Sequence, residues 1–285
     1  MNIIRSVDEM QREAERLRKA GKTLGLVPTM GYLHAGHESL IAEARRTCDV
    51  VILSIFVNPT QFAPSEDFSR YPRDFERDET IAQKSGVDIV FAPEAKEMYP
   101  DDFSTYVDEQ EAAKILEGKF RPTHFRGVTT VVTKLFNICK PHVAVFGQKD
   151  AQQAYLIGKM VRDLNFDVKM VVTPIVREAD GLAMSSRNVY LSAKDRTNAA
   201  VLYESLKMAE REVCHGEMNA AKIRKSMEAA IRSKGAPRID YIAFLDPERF
   251  REIETLNGAT VLVALAVRFG DTRLIDNLLV KKDQS

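Results

Sequence analysis

The chain has 285 residues, 45% hydrophobic and 29% charged, enough for one large or two ordinary domains whose core needs no covalent staples. Lys plus Arg (41) equals Asp plus Glu (41), so the overall charge gives no reason to expect nucleic acid or an anionic membrane as a partner. Three dispersed cysteines, no leader-type apolar segment in "MNIIRSVDEMQREAERLRK", and a longest apolar run ("VVILSIFV") far short of the ~20 residues of a membrane helix argue against a disulfide framework or a membrane span and for the cytoplasm.

In chain order, "TLGLV" (23–27) predicts a short strand and "HESLIAEARRT" (37–47) a helix, with His37, Leu40, Ile41 and Ala44 at helical spacing. "VVILSIFV" (50–57) is a continuous β-branched run, as in a strand covered on both faces. A helix after Pro72 in "YPRDFERDETIAQKSG" ends near Gly86, and "VDIVFAP" (87–93) is the next strand. After an irregular stretch, residues 128–140 predict a helix, 142–147 a strand, 151–164 a helix and 166–176 a strand. This alternation implies an α/β fold, a Rossmann-like parallel sheet with helices on both faces.

The pattern then changes. Residues 193–214 and 220–235 predict long amphipathic helices, and "IDYIAFLD", "TVLVALAVRF" and "RLIDNLLV" predict three strands. Helices followed by strands imply a smaller α+β C-terminal domain, with the boundary between Val176 and Ser192 and domains of about 1–180 and 181–285.

In an open parallel sheet, ligands bind beyond the carboxyl ends of the strands. Four polar stretches fall there: "PTMGYLHAGH", "NPTQF", "GQKDAQQ" and "VREADGLAMSSRN". The first is no P-loop: "GKT" at 21–23 precedes its strand, and Arg16 stands where the motif needs a glycine. What is left is a strand, a loop and a helix start with His37 at or near it, a natural anion site through free backbone N–H groups. The helix field by itself disfavours imidazolium, whereas a bound polyphosphate favours it. The same histidines also read as plain caps or surface residues. Metal chelation lacks a third ligand nearby, so no metal site is expected. Lys149 suits a phosphate and Asp150 a ribose hydroxyl or a helix amide. Ser185, Ser186 and Arg187 offer two hydroxyls and a guanidinium in a row.

Together, "HAGH" and "MSSR" resemble the two signature loops of the adenylate-forming nucleotidyltransferase superfamily. The longer strings "PTMGYLHAGHESLI", "SIFVNPTQF", "YPR", "HFRGVTTVVTKLFN", "FGQKD" and "MSSRN", in this order and spacing, resemble the pantothenate synthetase (pantoate–β-alanine ligase) family over essentially the whole chain. The resemblance implies an ATP-dependent condensation of (R)-pantoate with β-alanine through a pantoyl adenylate. It implies that His34 and His37 contact the ATP phosphates, with His37 the proton donor, and that Met30, Gly31, Tyr32, Leu33, Ala35 and Gly36 shape the nucleotide loop. It places Gly147 and Gln148 in the ATP site, Lys149 on the phosphates, Asp150 near the ribose and Val176 on adenine, with Met184, Ser185, Ser186 and Arg187 closing over the triphosphate. Gln61 and Gln153 hold pantoate, and Phe56 and Asn58 line its pocket, with Tyr71 and Arg121 as secondary candidates. It also implies Mg²⁺ with ATP, held mainly by phosphates and water with Asp78 a weaker contributor, and a homodimer.

Tyr32, Ala35 and Gln148 depart from the commonest family pattern; side chains pointing away from ATP would leave the chemistry unchanged. Alternative readings are an adenylyltransferase acting on a phosphorylated acceptor, which does not need the two glutamines, and a nucleotide-binding regulator, which does not need Lys149 and Arg187 together. A tRNA synthetase would carry a basic or anticodon-reading module, which this neutral chain lacks.

Overall fold

A computed structural model describes residues 1–64, 66–235, 237–258 and 260–281. The chain forms two compact units, 1–148 with 152–174, and 149–151 with 175–285.

The first unit is built on strands β1 (Asn2–Ile4), β2 (Leu24–Thr29), β3 (Val50–Ile55), β4 (Ile89–Phe91), β5 (Val143–Gly147) and β6 (Lys169–Thr173), all parallel, in the order β1-β4-β3-β2-β5-β6. Its helices are α1 (Val7–Lys19), α2 (Ala35–Thr47), α3 (Phe75–Lys84), the short turns α4 (Ala95–Met98) and α5 (Glu117–Phe120), α6 (His124–Cys139) and α7 (Ala151–Asp163). Alternate strand residues feed two cores, as the period of two requires. Leu24, Leu26, Val50, Ile52, Ile89, Phe91, Ala144 and Phe146 join buried residues of α1, α6 and α7. Val27, Val51, Leu53, Val90 and Val145 join Leu40, Ile41 and Ala44 of α2 and Ala82 of α3. Both faces are therefore covered, which is why these strands read as continuous apolar runs. The chain runs outward from β2 through β3 and β4 on one side and through β5 and β6 on the other. The strand order thus reverses between β2 and β5, where an open α/β sheet leaves a crevice at its carboxyl edge.

The second unit packs α8 (Ala193–Ala199), α9 (Val201–Cys214) and α10 (Ala220–Arg232) with an antiparallel sheet of β7 (Arg238–Asp246), β8 (Arg251–Glu252), β9 (Thr260–Phe269) and β10 (Thr272–Lys281), in the order β10-β9-β7-β8. Leu202, Leu206, Ala209 and Val213 of α9 and Ile223, Met227 and Ile231 of α10 meet Phe244, Val263, Leu265 and Val267 in one core.

Several elements differ from the sequence expectation. Strand β1 and helix α1 had no counterpart in it: three residues are too few for a strand pattern, but Ser6 accepting the Glu9 N–H, with Met10 and Ala14 buried, is a legible helix start. The single helix expected at 193–214 is interrupted at Ala200, whose backbone stays near helical (φ −56°, ψ −25°), so the break is one of hydrogen bonding rather than direction. Helix α6 starts four residues before the expected Val128, at His124. Strand β6 covers only five residues of the stretch read as 166–176.

Candidate active site

The chain leaves β2 at Thr29 and turns through two consecutive left-handed residues, Gly31 (φ 82°) and Tyr32 (φ 52°), an uncommon conformation for a bulky tyrosine. Asp78 of α3, almost fully buried, accepts the Tyr32 N–H on one oxygen and the Leu33 N–H on the other, both at 2.7 Å. A Cβ at position 31 would lie 2.8 Å from Asp78 Oδ2, so the turn needs glycine for conformation and for space. The Arg77 guanidinium covers the Tyr32 ring at 4.8 Å, and Leu33 is fully buried. Burial pushes the Asp78 carboxyl upward, opposed by the two N–H donors.

This turn delivers His34 to the N-cap of α2 and His37 to its third position. The two rings cap the helix mutually: Gly36 N–H donates to His34 Nδ1 at 3.1 Å, and His34 N–H donates to His37 Nδ1 at 3.3 Å. Their centroids lie 4.1 Å apart. Because each Nδ1 accepts, the neutral ring carries its hydrogen on Nε2, and a proton added at Nδ1 would cost the cap. The cap expected of these histidines is therefore made at Nδ1 of each ring.

At the end of β3, Phe56 is buried and Asn58 caps a short 3₁₀ turn, Pro59–Gln61. Asn58 Nδ2 donates to Gln61 Oε1 at 3.2 Å and to Gly127 O at 3.1 Å, while its Oδ1 accepts from Tyr99 Oη at 2.8 Å and Thr60 Oγ1 at 2.9 Å. Desolvation pushes the Tyr99 hydroxyl up to about 12, so it stays a donor at any working pH. Gln61 Nε2 lies 3.0 Å from Met30 Sδ, joining this turn to the segment after β2. Behind it, the Gln61 carbonyl sits 2.9 Å from His124 Nδ1 and 3.4 Å from Arg121 Nη2, with Arg121 paired to Glu66. A Cβ on Gly127 would stand 2.5 Å from Thr60 O; only glycine lets α6 approach this closely. Gln152 spends its buried amide on Glu117 N, Ala112 O and Ile115 O, whereas its neighbour Gln153 is partly exposed. Tyr71 is buried against Phe62.

Gly147 ends the first unit's β5 and Gln148 opens the next turn, and the remaining predicted residues belong to the second unit. Lys149 Nζ is 3.8 Å from Asp150 Oδ2 in a 3₁₀ turn, Gln148–Asp150. Met184 N–H donates to Val176 O at 3.0 Å, and Arg177 and Ala183 form an isolated bridge, so Val176 and Met184 sit at the root of one hairpin. Ser185 Oγ accepts the Arg187 N–H at 3.2 Å and caps the turn Ser186–Tyr190. Asn188 ties this turn back to Glu178 Oε1 and Ala183 O at 3.1 and 3.2 Å.

A model of the pantoate–β-alanine ligase family matches residues 2–279. The chain belongs to this family. It is 55% identical to the pantothenate synthetase of Thermotoga petrophila over 98% of this chain and all of that one, and 53% identical to that of Acetivibrio thermocellus over 99% and 100%. Among solved structures, pantothenate synthetase from Thermus thermophilus superposes with a TM-score of 0.93 at 44% identity, covering 99% of this chain and all of that one. The Francisella tularensis pantoate–β-alanine ligase, complexed with β,γ ATP and β-alanine, gives 0.82 at 37% identity, covering 98% and 97%. As a family member the chain is a carbon–nitrogen ligase, on the α/β architecture with a smaller α+β unit that the sequence predicts, the sheet of that unit being antiparallel.

In this ligase the first unit gathers Met30, Gly31, Tyr32, Leu33, His34, Ala35, Gly36, His37, Phe56, Asn58, Gln61, Gly147, Gln148 and Gln153, and the second gathers Lys149, Asp150, Val176, Met184, Ser185, Ser186 and Arg187. The sequence reading had no role for Arg177, Asp276 and Asn277, or for His124. Asp276 and Asn277 left one signal: two polar residues interrupting the apolar run "RLIDNLLV". No group of three or more His, Cys, Asp or Glu among the described residues could hold a metal ion. No helix among them is long and apolar enough to cross a membrane.

Proposed function

We propose that this ligase works in two half-reactions with the residue roles below. The pantoate carboxylate attacks the α-phosphorus of ATP, giving pantoyl adenylate and pyrophosphate. The β-alanine amine then attacks the acyl carbon, giving pantothenate and AMP. Activation is needed because a carboxylate is a poor acyl electrophile. In-line attack builds charge on the non-bridging oxygens and the pyrophosphate, and fixed donors and cations stabilise it.

The observation that carries this reading is the mutual cap of His34 and His37 at the start of α2, beyond β2, where the strand order reverses. With both Nδ1 atoms engaged by backbone, Nε2–H is the hydrogen-bond donor each ring offers to the phosphates, and His37 serves as proton donor of the first half-reaction from its imidazolium form, which the polyphosphate favours and which gives up the Nδ1 cap. Lys149 and Arg187 neutralise the triphosphate, Ser185 and Ser186 offer it hydroxyl donors, Gly147 and Gln148 line the ATP site, Asp150 reaches the ribose and Val176 the adenine. Gln61 and Gln153 hold pantoate by their amides, which serve carboxylate and hydroxyls alike. Phe56 and Asn58 wall the pocket, with the Asn58–Tyr99 bond fixing the Gln61 amide.

Mg²⁺ accompanies ATP in this reading and supplies charge neutralisation on the phosphates. With no carboxylate cluster among the described residues, and both Asp78 oxygens accepting backbone N–H groups, phosphates and water hold it rather than Asp78. The enzyme works in the cytoplasm as a homodimer, on the family resemblance.

A product assay omitting ATP, (R)-pantoate or β-alanine in turn tests the function. Pyrophosphate release is expected to require pantoate, and AMP release to require β-alanine. Pyrophosphate release on adding a phosphorylated acceptor, with the adenylyl group retained on that acceptor and no free AMP, would instead favour an adenylyltransferase.

A further inference from the structure

Asp276 and Asn277 are neighbours on β10 and are both buried, 2% and 3% exposed. Strand β10 is an edge of its sheet, and such an edge must be paired, covered or charged. Here it is covered by the two segments assigned to the triphosphate. Asn277 Nδ2 donates to the Lys149 carbonyl at 2.9 Å, across 128 positions of sequence. Asp276 accepts both terminal nitrogens of Arg177 at 2.6 and 2.9 Å, and Asn277 O accepts the second at 3.3 Å. Arg177 also donates to Gly181 O at 3.0 Å, stacks 3.9 Å from the Tyr203 ring centroid and bridges to Ala183, which leads into residues 184–187. All these groups belong to the second unit.

We propose that Asn277 is a positioning residue for Lys149, and that Asp276, acting through Arg177, positions the loop carrying Ser185, Ser186 and Arg187. One dipeptide then sets both cationic arms of the clamp against a single strand. A buried amide bonded to the carbonyl of a three-residue turn fixes where the Lys149 stem starts. A misplacement of about 1 Å at such a group costs up to about 10²-fold in rate. The proposal rests on reading Lys149 and Arg187 as phosphate contacts.

The test is a double-mutant cycle on the full-length enzyme, read by pantoate-dependent ATP–pyrophosphate exchange. Asn277→Ala is expected to lower kcat/KM for ATP by about tenfold to 10²-fold with KM for pantoate unchanged. Added to Lys149→Ala, it is expected to cost less than about twofold more, because coupled neighbours are not additive. Asn277→Leu, with the same number of side-chain heavy atoms and the same branching but no donor, is expected to behave alike and serves if the alanine variant does not fold. An equal fold loss in both backgrounds, or matching losses for ATP and pantoate, overturns the proposal while leaving the function intact. If Lys149→Ala itself exchanges at the wild-type rate, the Lys149 assignment fails and the proposal falls with it. The parallel cycle of Asp276→Asn with Arg187→Ala is expected to be non-additive, and additivity there overturns the second arm.

Discussion

The two units hold the residues proposed for catalysis by different means. In the first, the histidine pair is organised by its own neighbourhood: the capping bonds of His34 and His37 span two and three positions. In the second, Lys149 and the hairpin from Val176 to Met184 are anchored across 128 and 99 positions by adjacent residues of an edge strand. Short-range capping is written in residue order and stands out as a motif. Long-range anchoring needs only a buried polar group with a partner, and any strand could supply one. The signature loops therefore read clearly, while the residues that hold one of them do not.

The largest expected effect tests whether capping and chemistry share one residue. His37→Ala should reduce pantoate-dependent ATP–pyrophosphate exchange on the order of 10²–10³-fold, and should also lower stability by about 0.5–2 kcal/mol through the lost cap. Exchange at the wild-type rate would sink the role given to His37. Next, Gln153→Ala should raise KM for pantoate by about tenfold or more, with little change for ATP, as expected for losing a hydrogen bond to a charged ligand. Equal losses in a titration would remove Gln153 from the pantoate pocket.

Asp78 sharpens the contrast, because it is the long-range anchor of the otherwise locally built loop. In Asp78→Asn one of the two N–H groups faces an amide donor, and a loss of about 1–3 kcal/mol is expected in denaturant unfolding. An unchanged midpoint would show that the left-handed turn at Gly31 and Tyr32 holds itself. The smallest effect concerns His142, whose Nδ1 accepts the Leu24 N–H at 2.9 Å at the start of β2 and whose pKa is lowered by burial, with Arg18 adding to the shift. A lowered folded pKa means that the stabilisation is complete above the unfolded value of about 6.5 and declines as pH falls toward the folded one. Thermal unfolding between pH 8 and 5 should therefore show a shallow acid loss that His142→Gln flattens; an identical slope in the variant would exclude His142 as its source.

How far the sequence reaches can be followed residue by residue. The alternation of Val50, Val51, Ile52 and Leu53 between two cores is legible because both faces of a parallel strand are apolar, which yields one unbroken run. Gly31 and Gly127 are visible as glycines, but their reasons, Asp78 on one and the Thr60 carbonyl on the other, come from elements 46 or more positions away. Helix α1 carried a usable signal at Ser6 and Glu9; β1, at three residues, did not.

By itself the sequence determined the strand–helix alternation, the change to a second α+β unit, the family and the residue types gathered at the strand ends, because periodicity and motif spacing are local properties of the chain. Only the tertiary structure decided which nitrogen of each histidine is committed to the helix, that Asp78 spends both oxygens on the turn after β2, and that Asp276 and Asn277 bond to Arg177 and to the Lys149 carbonyl. These are pairings between buried polar groups far apart in sequence. The need for a partner follows from burial, but the partner's identity is fixed only when the chain has folded.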